Sequence, residues 1–162
     1  LPLHHPLVRQ ARAAGISIIS DIDLFMSRVD APVIGVTGTN GKSTVVLLVG
    51  HLLQASGLRC SVGGNLGVPA LALLDSPADV YVLELSSFQL AHSAHLAWAS
   101  AGVLNITDDH RDWHGDLDSY RRAKERIYVK AEYSVGGRDC ARSVSVRVDM
   151  SATGTHRWGV TS

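Results

Sequence analysis

The chain has 162 residues, 46% hydrophobic and 19% charged, with 15 Lys plus Arg balanced by 15 Asp plus Glu. This excludes a disordered polyelectrolyte and sets the scale at one ordinary domain. Zero formal net charge gives no electrostatic footprint for nucleic acid or an anionic membrane, and no apolar run approaches the roughly 20 residues that span a bilayer.

In chain order, residues 7–14 (LVRQARAA) predict a helix ended by Gly15. ISII at 16–19 predicts a short strand, and Asp21–Val29 a second helix, with Pro32 as a boundary. From there strand and helix alternate. VIGV from Val33 is a buried strand, and Ser43–Ser56 a helix whose Val45, Val46, Leu47, Leu48, Val49, Leu52 and Leu53 predict cover on most sides. A strand at Cys60–Val62 leads through GGNLG to a helix at Pro69–Leu74. DVYVLEL (79–85) and AGVLNI (101–106) are further apolar strands, and Leu117–Ala131 is a helix. The expected fold class is α/β: a P-loop-type, mostly parallel sheet with helices on both faces. Residues 132–162 change in character, with SVSVRV (143–148) as a possible strand having one solvated face. Cys60 and Cys140 form no CxxC pair, so no disulfide framework is expected and a cytoplasmic setting is favoured.

The strand-to-helix turn reads GVTGTNGKST (35–44). Strand, glycine-rich turn, Lys-Ser-Thr and helix in that order suit a phosphate-binding loop, in which main-chain N–H groups and the helix N-terminus face the anion. Lys42 would reach the outer phosphates and Ser43 would ligate Mg²⁺. The spacing departs from GxxxxGKS/T, since glycines stand at 35 and 38 where that pattern puts one at 36. A glycine-rich turn with no ligand is the bland alternative.

Glu84 closes an apolar strand, where a carboxylate needs a partner or a metal; an exposed strand-end Glu is the alternative. TDDHRDWH after the 101–106 strand gathers Asp108, Asp109, His110, Asp112 and His114. A metal site, a zinc pair at His110 and His114 lacking a third ligand, and a helix N-cap with solvated acids all remain open. On the 117–131 helix, Tyr120, Ala123, Ile127, Tyr128 and Ala131 share one face, with Lys124 in its middle. An inward lysine loses hydration and its pKa falls, giving an amine that CO₂ would convert to a carbamate, a carboxylate-like ligand. A lysine snorkelling to solvent is the alternative.

Together, TGTNGKST, GGNLGVPAL, YVLELSSFQL, LNITDDHRDWHG and YRRAKERIY, spread from about His5 to Ala131, resemble the Mur ligase family of peptidoglycan synthesis. ELSSFQL is similar to its D-glutamate-adding branch and argues against a folylpolyglutamate synthase. The resemblance implies an ATP-dependent amide ligase joining D-glutamate to UDP-N-acetylmuramoyl-L-alanine through an acyl phosphate. It implies ATP held by Gly38, Thr39, Asn40, Gly41, Lys42, Ser43 and Thr44, with Lys42, His110 and Lys124 catalytic. One Mg²⁺ would be held by Ser43 and Glu84 and a second by His110 and carbamylated Lys124, with Asn65, Ser86 and Gln89 on the muramoyl substrate. Residues 1–31 then resemble the end of an N-terminal UDP-binding domain, 32–131 part of the central ATP-binding domain, and 132–162 an atypical tail lacking the family's next strand. The start at Leu1 and these departures lead to the expectation of a truncated central domain, with an Mg·ATP-binding remnant that does not ligate as the alternative.

Overall fold

The computed structural model describes residues 5–94, 96–107, 109 and 111–137, with backbone only at 111 and 112. His110, Asp108, Cys140 and the 143–148 segment lie outside the described residues.

Five strands form one parallel sheet: β1 (Val33–Thr37), β2 (Cys60–Gly64), β3 (Val80–Glu84), β4 (Trp98–Val103) and β5 (Ala131–Gly136), in the order β2-β3-β1-β4-β5. The helices are α1 (Pro6–Ala13), α2 (Asp21–Met26), α3 (Lys42–Ala55), α4 (Ser87–His92), α5 (Arg111–His114) and α6 (Leu117–Glu125), with 3-10 turns at Ala70–Asp75 and Arg126–Tyr128. The connection leaving β1 runs towards β2, whereas the one leaving β3 passes over β1 to β4. The chain therefore changes direction at β1, and the carboxyl ends of β1, β3 and β4 open onto one crevice, where ligands bind in open α/β sheets.

The sheet separates two apolar clusters. Val45, Val46, Val49 and Leu53 of α3 pack with Val36, Cys60, Val80 and Val82 on one face. On the other, Ile22, Phe25, Leu73, Leu90, Tyr120, Ile127 and Tyr128 close over Tyr81, Leu83, Trp98 and Ala101. Burial pushes the Cys60 thiol up, so it stays a neutral packing group.

Several expectations are corrected. No strand forms at 16–19: the segment is irregular and is not part of the sheet, and with Ile16 and Ile19 exposed it gains little burial to order it. The helix expected over 117–131 ends at Glu125, passes through a 3-10 turn, and leaves Ala131 to open β5. The strand expected at 101–106 begins instead at Trp98, because the small residues of WASAG fit between two neighbouring strands. Residues 131–136, read as leaving the sheet, form its fifth strand. Nor is α3 covered on most sides: Leu47, Leu48 and Leu52 are each more than half exposed.

At the crevice, Gly64 ends β2 with φ of 101°, and a Cβ there would run into the Glu84 carbonyl oxygen. Gly64→Ala is therefore expected to cost about 2–4 kcal/mol by combining a left-handed backbone penalty with a main-chain collision. Urea denaturation of the two chains measures it.

Candidate active site

The β1–α3 turn sits at the head of the crevice. Gly41 takes a left-handed φ of 78° as the N-cap of α3. The first bond into the helix runs from the Val45 N–H to the Gly41 carbonyl at 3.1 Å. The N–H groups of Lys42, Ser43 and Thr44 precede that bond, so they are the open donors of the helix end. Lys42 folds back over the turn and its Nζ donates to the Thr39 carbonyl at 2.9 Å.

Glu84 stands at the end of β3 and is only 4% exposed. The Ser43 hydroxyl donates to its Oε2 at 2.7 Å, and Asn65 Nδ2 donates to its Oε1 at 3.3 Å. Asn65 is fixed in turn by its own N–H on the Glu84 carbonyl, 2.8 Å away. The reading of Glu84 as an exposed strand-end residue is excluded. A carboxylate and a hydroxyl side by side are hard oxygen donors of the kind Mg²⁺ prefers, and the pair fits that ion. Among the described residues no three His, Cys, Asp or Glu side chains converge, so such an ion would complete its shell with water or phosphate oxygens.

Lys124 lies beneath the turn and is 2% exposed. It does not snorkel. Its Nζ donates to the Gly38 carbonyl at 2.8 Å and to Thr37 Oγ1 at 3.3 Å, and sits 4.7 Å above the centre of the Tyr120 ring. Thr37 spends its own hydroxyl proton on the Leu85 carbonyl, which leaves a lone pair for the ammonium. Burial, then the nearby Lys42 charge, lower the Lys124 pKa to about 7, while Asp109 and Glu84 pull it the other way.

Ser86 and Gln89 lie further along the chain and form the capping box of α4. The Ser86 hydroxyl accepts from the Gln89 N–H, and Gln89 Oε1 accepts from the Ser86 N–H. Gln89 Nε2 also donates to Asp21 at 3.3 Å. Gln89 lines a cavity of ≈ 420 Å³ with Asp21, Phe88, His92 and Trp113. His114 Nε2 shares a hydrogen bond with Ser87 Oγ at 2.9 Å, and its ring stacks parallel to Phe88. His110 falls outside the described residues. One residue the sequence reading left without a role is Asn105, just past β4, which makes three side-chain hydrogen bonds to the turn. Its signal was an amide at the mouth of an apolar strand, inside LNITDDH.

The model of the Mur ligase middle domain matches residues 36–154, most of the chain. The chain belongs to the Mur ligase family. It is 48% identical over 148 residues to a UDP-N-acetylmuramoylalanine--D-glutamate ligase of Salmonella typhimurium strain LT2, covering 91% of this chain and 34% of that protein. The chain thus spans about a third of the length of the curated relatives it matches. Among solved structures, MurF ligase from Thermotoga maritima in complex with ADP superposes with a TM-score of 0.58 at 21% identity, covering 70% of this chain and 30% of that one. E. coli FolC in complex with DHPP and ADP gives 0.53 at 20%, covering 78% and 45%. At such identities the two structures establish the fold, which the parallel sheet already shows. The family match reaches into residues 132–154, beyond the 131 boundary drawn from composition.

The Lys124 geometry has a pH signature. The folded state releases this proton near pH 7, whereas the unfolded chain holds it to the ordinary lysine value of 10.5. Between those values the unfolded state binds more protons, so stability from this group rises with pH; below both, the full penalty of a buried charge is present. Urea unfolding at about pH 6 and about pH 9.5 should show a smaller rise for Lys124→Met than for the unaltered chain, whatever their absolute stabilities.

Proposed function

We propose that this chain carries the ATP-handling centre of a cytoplasmic amide ligase that joins D-glutamate to UDP-N-acetylmuramoyl-L-alanine in cell-wall synthesis. The observation that carries the reading is the convergence on one turn of Ser43 with Glu84 and of Lys124 with Gly38. Family membership and 48% identity to a D-glutamate ligase support the substrate pair, and ELSSFQL (84–90) supports this branch over a folylpolyglutamate synthase.

In this reading the amides of Lys42, Ser43 and Thr44 receive the β- and γ-phosphates of ATP. Lys42 leaves the Thr39 carbonyl to neutralise charge that builds on the transferring phosphoryl group. Ser43 and Glu84 would hold Mg²⁺, which would supply charge neutralisation when bound. The terminal carboxylate of the muramoyl substrate attacks the γ-phosphorus and ADP leaves. The amine of D-glutamate then attacks the acyl carbon, phosphate departs with its bonding pair, and the amine proton is lost to give the amide. Asn65, Ser86 and Gln89 line the approach of the muramoyl substrate.

Lys124, with its lowered pKa, has a lone pair at neutral pH. Its neutral amine attacks CO₂, forming an N–C bond and releasing one proton, and the resulting carbamate places an anion beside the turn where a neutral amine stood. With His110 it would hold a second Mg²⁺. A second reading is favoured by the share of the relatives spanned, about a third: the chain binds Mg·ATP and does not ligate by itself.

Phosphate release from Mg·ATP, measured with both substrates and then without D-glutamate, separates the two. D-glutamate-dependent release establishes the ligase; nucleotide binding without it establishes the binding module. In either case Lys42→Ala should weaken ATP binding by about 10–100-fold, the weight of a charge-assisted hydrogen bond of about 1.5–3 kcal/mol. ATP affinity unchanged in Lys42→Ala would remove the phosphate-loop reading.

A further inference from the structure

We infer that Asn105 is a positioning residue for the phosphate-binding turn: it captures the main-chain amides of Thr39 and Asn40 and so decides which donors are left to face a nucleotide. This rests on the nucleotide reading above.

The turn offers a run of N–H groups from Gly38 to Thr44, and each could face either the crevice or the protein. Asn105 Oδ1 accepts from the Thr39 N–H at 3.1 Å and from the Asn40 N–H at 2.9 Å. Its Nδ2 donates to the Asn40 carbonyl at 3.0 Å. The Asn105 carbonyl adds a further contact to the Thr39 N–H at 3.0 Å. Only one orientation of the side-chain amide satisfies these bonds, because the flipped group would point its two N–H donors at two N–H groups.

Thr39 is held from other sides as well. Its Oγ1 accepts from the Thr107 N–H at 3.0 Å and lies 3.2 Å from the Tyr120 hydroxyl. The turn is thus pinned through residues 39 and 40 to the carboxyl end of β4. Donors spent on Asn105 are not available to phosphate. The donors Asn105 leaves are those of Gly38 and of Gly41 to Thr44, so most of the remaining set lies at the first turn of α3, on the side of Ser43 and Glu84. Pinning Thr39 also places the carbonyl on which Lys42 rests.

The chemistry explains the residue type. An aliphatic side chain satisfies none of these groups, and a carboxylate would accept both amides while losing the donor to Asn40. Asn105→Ala and Asn105→Asp therefore dissect the clamp. In the ligand-free chain, hydrogen exchange at the Thr39 and Asn40 amides should accelerate in Asn105→Ala and stay slow in Asn105→Asp. Calorimetry with Mg·ADP should show about tenfold or greater loss of affinity in Asn105→Ala, as expected when one or two hydrogen bonds organise an anion site, with partial recovery in Asn105→Asp. A role in folding alone would lower the ligand-free thermal midpoint and leave the affinity of the folded chain unchanged.

Unchanged exchange at residues 39 and 40, or Mg·ADP affinity in Asn105→Ala within about twofold of the parent, would overturn the inference and leave the nucleotide reading standing. If Asn105→Ala does not fold, Asn105→Asp decides: slow exchange with weakened affinity supports the clamp, and fast exchange or full affinity overturns it. A parent chain with no Mg·ADP affinity would sink both readings together.

Discussion

A buried ammonium beneath a main-chain carbonyl is the constraint around which this crevice is built. Desolvating a lysine is costly, and the cost is contained here because the Nζ of Lys124 has the Gly38 carbonyl, the Thr37 hydroxyl and the Tyr120 ring around it. Each of those partners belongs to a different structural task. Gly38 opens the turn, Thr37 ends β1 and holds the Leu85 carbonyl beyond β3, and Tyr120 sits one turn earlier on α6. Moving α6 would strand the lysine, and remodelling the turn would strip it of its acceptor. The lysine therefore ties the last described helix to the first strand.

The same accounting governs the rest of the turn. Buried or half-buried main-chain groups must be paired, and the pairing of residues 38–40 is done from below and from the side, by Lys124, Lys42 and Asn105. What remains is the open end of α3, whose donors share one direction with the helix dipole. The charges act on Lys124: burial and the nearby Lys42 charge lower its pKa, and Asp109 and Glu84 pull it the other way. Among the described residues, Lys42, Glu84 and Asp109 are the charged groups that act on Lys124 there. Conversion of one amine to a carbamate, as proposed, would shift the charge balance towards anions and so towards divalent cations.

Much of this was legible in the sequence for physical reasons. The β1 strand and the glycine-lysine turn announce themselves because few other patterns place two glycines between an apolar strand and a helix that opens on Lys-Ser-Thr. Glu84 stood out because an acid on a buried strand is expensive, and the model shows it buried and bonded. Lys124 was placed inward by helical period alone, although α6 proved shorter than that period suggested. Other features were not legible. The strand AEYSVG depends on the β4 edge being open to receive it, which no local pattern encodes. The α4 helix was missed although Ser86 and Gln89 carry the S/T-x-x-E/Q spacing of a capping box, because a six-residue helix has too little period to register. Asn105 was hidden for a different reason: its three bonds reach residues more than 60 positions away in sequence, and composition near it says only that a strand ends.

The fold by itself does not choose a substrate. MurF ligase from Thermotoga maritima and FolC from E. coli superpose on this sheet with TM-scores of 0.58 and 0.53, and at 21% and 20% identity that likeness shows the fold alone. In this chain the strands β1, β3 and β4 of the parallel sheet end at one crevice. Discrimination must therefore come from where the sequences diverge around that crevice. In this chain the segment directly after Glu84 turns at once into the Ser86–Gln89 cap, and the cap presents Gln89 and Phe88 to the cavity shared with Asp21 and Trp113. The Asp21–Gln89 bond joins that segment to α2, outside the phosphate crevice. On the proposed reading, phosphate handling would rest on the turn braced by Lys124 and Asn105, and substrate choice on the short capped helix braced by α2. On that reading a change at Gln89 would alter what is bound without disturbing the turn, whereas a change at Lys124 or Asn105 would reach the turn itself.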